Sequence, residues 1–197
     1  MQKNSVGKIM PNISYKIVDS ETGNCVDTGS PGELLLKYDY TKVLDFYTFI
    51  STHRAPHLMK GYYNNDQANK DSYSGDWFRT GDVVVTDEDG DIFIVDRIKD
   101  MIKVKGYQVS PTELEAEIRL APGVADVAVI GVPHPQAGEV PRAFIVPSSE
   151  DVSAESVQEF LTGRLAKYKQ LTGGIVIMES LPKSPTGKVL RKELRAL

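Results

Sequence analysis

The sequence predicts an α+β fold in two parts, on three observations. Before residue 95, short strand patterns such as residues 33–37 (ELLLK) alternate with turn residues. After residue 101, helical and strand patterns alternate. Between them, residues 95–111 (VDRIKDMIKVKGYQVSP) hold an Asp-Arg pair, three closely spaced lysines and a helix start. We therefore predict two domains joined by a hinge.

Composition excludes several classes of function. The 197 residues are 41% hydrophobic and 25% charged, which is ordinary for a globular protein. The net charge of −4 argues against a general binder of nucleic acid or membrane surfaces. No apolar run approaches the ~20 residues that a membrane-spanning helix needs. Because Cys25 is the single cysteine and the chain ends in Arg-Ala-Leu, not Ser-Lys-Leu, we expect a reducing, cytoplasmic location.

The second part carries clear local signals. Residues 101–104 and 107–109 read as a hairpin about Lys105-Gly106. Ser110 and Pro111 then predict a helix start, with Leu114 and Ile118 facing inward. Strands are predicted at 126–132, 143–146 and 175–178, the last as the third core strand, with a loop near residues 134–139 between the first two and a terminal helix at 189–197. In the first part we expect a short polar helix over residues 64–74 and two separate strands at 77–80 and 83–86.

Three blocks stand out in order along the chain: Thr80-Gly81-Asp82, the stretch IVDRIKDMIKVKGYQVSPTELEAEI, and LPKSPTGKVLRKELR around Lys188. Together they resemble the C-terminal third of the acyl-adenylate-forming enzymes, most of all the branch of 4-coumarate–CoA ligases and luciferases. The resemblance implies three regions. Residues 1–95 would be the end of the large AMP-binding domain, with a small β-barrel-like remnant; residues 96–100 would be a hinge; residues 101–197 would be a compact α+β lid.

Residues 38–53 (YDYTKVLDFYTFISTH) interrupt the resemblance. The family passes almost directly from an ELLLK-like strand to a segment like residues 54–62. The extra residues are either a true loop insertion or a transcript artefact such as retained intron sequence, which we favour slightly. In the second case, deleting them would raise soluble yield and thermal stability.

The resemblance also implies roles for individual residues. Asp82 and Arg97 would bind the ribose of ATP, and Lys188 would meet the substrate carboxylate and the α-phosphate during adenylation. Lys103 would serve thioester formation, with Lys105 and Gly106 near CoA. Lys99 would be the pivot of the lid and a second contact to the nucleotide. The full set of predicted site residues is therefore Asp82, Arg97, Lys99, Lys103, Lys105, Gly106 and Lys188.

The implied co-substrates and cofactor are ATP, CoA and Mg²⁺. The family's Gly-rich phosphate loop does not occur in this sequence. We expect that loop, the acid pocket and the Mg²⁺ ligands in a preceding domain, and no metal site among these residues.

The predicted function is the C-terminal part of an ATP-dependent acid–CoA ligase for an aryl or fatty acid, inactive or nearly so by itself. Two alternatives stay open. One is a non-catalytic fragment that binds CoA or a partner weakly, and the other is part of a luciferase-like oxidative relative. Loading of a carrier protein is disfavoured because no carrier-like serine segment follows.

Overall fold

A computed structural model describes residues 5–38, 59, 61–149 and 151–197. The chain divides into two compact units, Met1–Ile98 and Lys99–Leu197. This division falls within the predicted hinge at residues 96–100. The predicted insertion lies outside the described residues except for Tyr38, and the proposal about it stays a prediction.

The first unit is built on a five-stranded antiparallel sheet. Residues Ile17, Val84 and Ile92 form its buried cluster. A two-residue β3 follows helix α1, where a longer helix was predicted over residues 64–74, because Ser72 ends the helix and Tyr73 pairs with Phe78. Its elements are β1 (Ile13–Val18), β2 (Gly32–Tyr38), α1 (Asp66–Asp71), β3 (Tyr73–Ser74), β4 (Trp77–Thr86) and β5 (Ile92–Arg97).

The second unit packs three helices around another five-stranded sheet. Its strands are antiparallel except for the β9–β10 pair, which is parallel. The predicted α+β class is therefore confirmed. Its elements are β6 (Ile102–Val104), β7 (Tyr107–Val109), α2 (Pro111–Ile118), β8 (Val124–His134), β9 (Gly138–Pro147), α3 (Ala154–Leu161), β10 (Ile175–Ile177) and α4 (Arg191–Leu194).

Strands β8 and β9 divide the core of this unit into two clusters. Val127 and Val129 of β8 enter one cluster with α2 and α3. Ala128 and Ile130 enter the other cluster. Because alternate residues of a strand point to opposite faces, the two clusters lie on the two faces of β8 and β9.

Three of the sequence-based predictions for this unit differ from the structure. The predicted loop near residues 134–139 is shorter than expected, because pairing continues to His134↔Gly138 and leaves only residues 135–137 between the strands. Val176 and Ile177 of β10 are each 39% exposed, so this strand lies at an edge of the sheet and not in the core. The terminal helix has four residues, because the chain before Arg191 is held by a β-bridge between Lys183 and Val189.

Candidate functional site

The Thr80-Gly81-Asp82 motif forms a bulge within β4. Arg79 of β4 pairs with Leu35 of β2, and the next pair along the two strands is Val83 with Glu33. Four residues of β4 are therefore matched to two of β2. Gly81 lies in the bulge with a φ of 72°, a left-handed conformation that favours glycine. The sequence predicts two separate strands here, and the structure has one strand with an irregularity. Bulges of this kind re-aim side chains next to functional sites.

The bulge brings Asp82 to a cationic partner. Asp82 pairs with Arg97 across β4 and β5, and their side chains form an ion pair in which Arg97 Nε lies 2.7 Å from Asp82 Oδ1. The Asp82 side chain is 22% exposed and that of Arg97 is 56% exposed. A carboxylate offers about four acceptor positions, so Asp82 keeps capacity for further hydroxyl donors. Further hydroxyl donors are what the predicted ribose role would require, and that role stays a prediction.

Lys99 lies exposed in a short 3₁₀ turn, Ile98–Asp100. The division between the two units falls immediately before it. Its position is the one expected for a pivot, and that role stays a prediction.

The β6–β7 hairpin presents the next group of predicted residues. Ile102, Val104 and Val109 are buried in the first core cluster. Lys103 alternates with them and is exposed, paired across the hairpin with Gln108. The Lys103 backbone N–H donates to Glu139 Oε2 at 3.0 Å, so β9 fixes the strand on which this lysine stands.

The turn of this hairpin has an unusual residue at its first position. Lys105 has a φ of 49° and Gly106 a φ of 85°, the signs that a two-residue type I′ turn requires. A Cβ on Gly106 would meet nothing within 4 Å, so glycine is favoured here by the positive φ and not by lack of space. The turn is therefore open to the approach of another molecule. Asparagine, aspartate or glycine is usual where Lys105 stands, and a lysine there is strained.

We expect Lys105→Asn to stabilise the chain while weakening any CoA interaction of the turn. Asparagine tolerates the left-handed conformation, so the free energy of unfolding should rise by about 0.5–1 kcal/mol in urea denaturation. Lys103→Asn, on the neighbouring strand with ordinary φ, is the matched control and should give no such gain. A loss of stability in Lys105→Asn would show that this lysine makes native contacts that outweigh the strain.

An aromatic pair stands beside the hairpin. Tyr107 and Tyr168 are stacked with ring centroids 4.5 Å apart and an interplanar angle of 16°. Tyr107 is 56% exposed. Sequence reasoning did not find Tyr168, because it lies about sixty residues downstream in a 3₁₀ turn (Lys167–Lys169) with no pattern of its own.

Lys188 is exposed at the end of a second hairpin. Ser184 N–H donates to the Lys188 carbonyl at 2.8 Å, and Lys188 N–H donates to Ser184 Oγ at 3.1 Å. Gly187 turns the chain with a φ of 82°. Leu181 and Val189 on the two arms pack into the second core cluster. The two groups of lysines therefore stand on hairpins whose apolar residues enter different core clusters, on opposite faces of β8 and β9.

The structure thus places six of the seven predicted residues in three groups, with Lys99 apart from them in its 3₁₀ turn. Asp82 and Arg97 are joined in the first unit, Lys103, Lys105 and Gly106 share one hairpin of the second unit, and Lys188 lies on another. In residues 5–38, 59, 61–149 and 151–197, no three or more His, Cys, Asp or Glu side chains are grouped to hold a metal ion. Within those same residues, no helix is long and apolar enough to cross a membrane.

The two-unit fold is similar to a class of protein, the C-terminal part of adenylate-forming enzymes. Residues 113–188 match the family model described as the AMP-binding enzyme C-terminal domain. The sequence is 40% identical over 195 residues to 4-coumarate–CoA ligase-like 6 of Arabidopsis thaliana, covering 98% of this chain and 31% of that protein. It is 39% identical over 197 residues to the 4-coumarate–CoA ligase of Pinus taeda, covering 100% of this chain and 33% of the relative.

Solved structures agree with the sequence relatives. ATP-bound MatB from Rhodopseudomonas palustris superimposes with a TM-score of 0.81 at 31% identity, over 98% of this chain and 35% of that chain. The o-succinylbenzoate CoA synthetase of Bacillus subtilis, in complex with its acyl-adenylate intermediate, gives 0.78 at 29% identity, over 98% of this chain and 36% of that one. The recognition made from the sequence is confirmed. The chain spans about a third of the length of the curated relatives it matches.

Proposed function

We propose that this chain supplies the C-terminal part of an ATP-dependent acid–CoA ligase. The observation that carries the proposal is the separation of its exposed lysines onto two hairpins of the second unit, because the reaction has two different steps. In the first, a carboxylate oxygen attacks the α-phosphorus of ATP, a new P–O bond forms and pyrophosphate leaves. In the second, the thiolate of CoA attacks the acyl carbon and AMP leaves.

Lys188 is the residue proposed for the first step. An ammonium on a flexible stem can meet both the attacking carboxylate and the α-phosphate, whose mutual repulsion opposes the reaction. Its hairpin holds the backbone while the side chain extends into solvent. Charge stabilisation of this kind acts most strongly in a site that excludes water.

Lys103, Lys105 and Gly106 are proposed for the second step. Lys103 would face the adenylate, and the open turn at Gly106 would let the pantetheine chain of CoA approach the backbone. Asp82 and Arg97 would hold the ribose in both steps. Lys99 is the proposed pivot that lets each hairpin serve in turn. Mg²⁺ would neutralise the phosphates of ATP when bound, and its ligands are proposed to lie in a domain that the relatives have before this region.

The direct test compares the chain with a fusion. The purified chain, given ATP, CoA and a panel of cinnamic and fatty acids, is expected to release no pyrophosphate above background. Joined to the N-terminal two-thirds of the Pinus taeda 4-coumarate–CoA ligase, it should release pyrophosphate and form an acyl-CoA. Robust turnover by the chain by itself, or a folded fusion that binds ATP and stays inactive in both steps, would contradict the proposal.

A further inference from the structure

The Lys188 hairpin continues directly into α4, a helix of four residues that has no side-chain cap at its N-terminus. The hairpin closes on itself through the Lys183↔Val189 bridge and through Leu190 N–H, which donates to the Pro182 carbonyl at 2.8 Å. These bonds fix its internal shape. The hairpin's place on the second unit is set by the packing of Leu181 and Val189 into the second core cluster and by polar contacts on either side of the turn.

Arg191 forms an ion pair with Glu115 close to Lys188 along the chain. Its Nη2 atom donates to Glu115 Oε1 of α2 at 2.8 Å. The side chains are 19% and 13% exposed, respectively, so the pair is largely removed from water. Arg191 follows Lys188 by three residues. A shift of this ion pair would therefore carry the Lys188 turn with it.

The same carboxylate oxygen is tied to the sheet. Glu115 Oε1 also accepts the backbone N–H of Val129 at 2.9 Å. Among the strands that the structure describes, β8 pairs along its length only with β9, so Val129 N–H points outward from the paired side. One oxygen of Glu115 thus joins α2, β8 and α4.

A buried ion pair of this kind adds little net stability to a fold. Removing two charges from water carries a large desolvation penalty, and apolar pairs of similar volume are often as stable or more so. Arg191 Nε is buried and has no hydrogen-bond partner among the described residues, which adds a further cost. Unlike an apolar contact, the ion pair sets a defined distance and direction between α2 and α4.

We propose that Glu115 and Arg191 are positioning residues that hold the Lys188 hairpin in place for adenylate formation, an inference that rests on the function proposed above. A second ion pair acts on the other arm of the hairpin, where Lys183 Nζ lies 2.7 Å from Asp126 Oδ2. It is weaker, since these side chains are 45% and 30% exposed.

Asp126 sets the pH range of that second contact. Burial acts to raise its pKa, but the hydrogen bonds from Lys183 and from Val127 N–H outweigh it, and the pKa lies below its usual value. A carboxyl whose folded pKa is depressed stabilises the fold above its unfolded pKa and loses this contribution as the pH falls through the folded value. The contact is therefore intact at neutral pH.

The test begins on the full chain with hydrogen exchange read by mass spectrometry. The variants are Glu115→Gln, Arg191→Lys and the apolar double variant Glu115→Met with Arg191→Met. The control is Glu113→Gln, on the same helix, which pairs with Lys169 and is itself 49% exposed, against 13% for Glu115. We expect Glu115→Gln and the double variant to speed exchange in residues 181–190 by about tenfold or more, with α3 unchanged and the control like the parent.

The second readout is the thermal midpoint together with the two half-reactions in the fusion. The double variant should keep its thermal midpoint and lose adenylation about tenfold or more, while thioester formation from pre-made acyl-adenylate is retained. Arg191→Lys should lose less than the double variant, because it keeps the charge. If the double variant unfolds, the exchange and adenylation rates of Glu115→Gln and Arg191→Lys are compared with those of Glu113→Gln instead.

Three results would overturn the proposal. One is hairpin exchange equal to that of Glu113→Gln, and another is faster exchange spread evenly over the second unit. The third is a double variant that retains full adenylation. Failure of the proposed function itself would be seen separately, as a Lys188→Ala fusion that adenylates normally.

Discussion

Lys188→Ala is expected to lower the rate of adenylate formation in the fusion by about 10²–10³-fold, the usual scale for removing one electrostatic donor from a developing charge. The substitution removes the ammonium and leaves the hairpin, because the bonds that close it run through Ser184 and the backbone. Substrate binding should change little if the lysine acts mainly on the transition state. Pyrophosphate release in a single turnover, with saturating ATP and acid, measures the effect.

Lys192→Ala is the matched control for this variant. Lys192 is exposed, carries the same charge and follows Lys188 by only four residues. If the locally basic C-terminal segment acted through its general field, both substitutions would slow adenylation alike. A drop in Lys188→Ala that Lys192→Ala does not share would assign the effect to one side chain, and equal drops would refute that assignment.

Lys103→Ala is expected to slow acyl transfer to CoA by about 10²-fold or more and to leave adenylation near its parent rate. Lys103 is exposed on β6, while its neighbours Ile102 and Val104 hold the strand in the core. The backbone bond to Glu139 does not need the lysine side chain, so the hairpin should persist in the variant. Transfer from pre-made acyl-adenylate to CoA, followed by thioester absorbance, measures the step, with Lys192→Ala again as the control.

Local signals in the sequence predicted the parts of the structure that depend on neighbours in the chain. Ser110 Oγ accepts the Glu113 N–H at 3.1 Å with Pro111 in the first turn, as the helix-start pattern predicted. The predicted hairpin about Lys105-Gly106 is confirmed. It could be predicted because a two-residue turn depends on only two neighbouring residues. Leu114 and Ile118 are fully buried, in agreement with their helical spacing.

What the sequence did not reveal depends on partners far along the chain. The bulge at Gly81 is defined by the pairing with β2, so the sequence pattern by itself predicts a gap between two strands. The ion pair of Glu115 and Arg191 joins residues 76 positions apart, and each reads by itself as an ordinary charge on a helix. The stacking of Tyr168 on Tyr107 is of the same kind. Such contacts have no periodic signal, so only the folded unit shows them.

The central claim is that two hairpins of one unit serve two successive reactions. Its most direct test measures both half-reactions, under single-turnover conditions, for Lys188→Ala and Lys103→Ala in the same fusion. The account predicts a crossed pattern, in which Lys188→Ala loses adenylation and keeps thioester formation while Lys103→Ala does the reverse. Equal losses of both half-reactions in each variant would contradict it, because a single fixed site would need both lysines at every step.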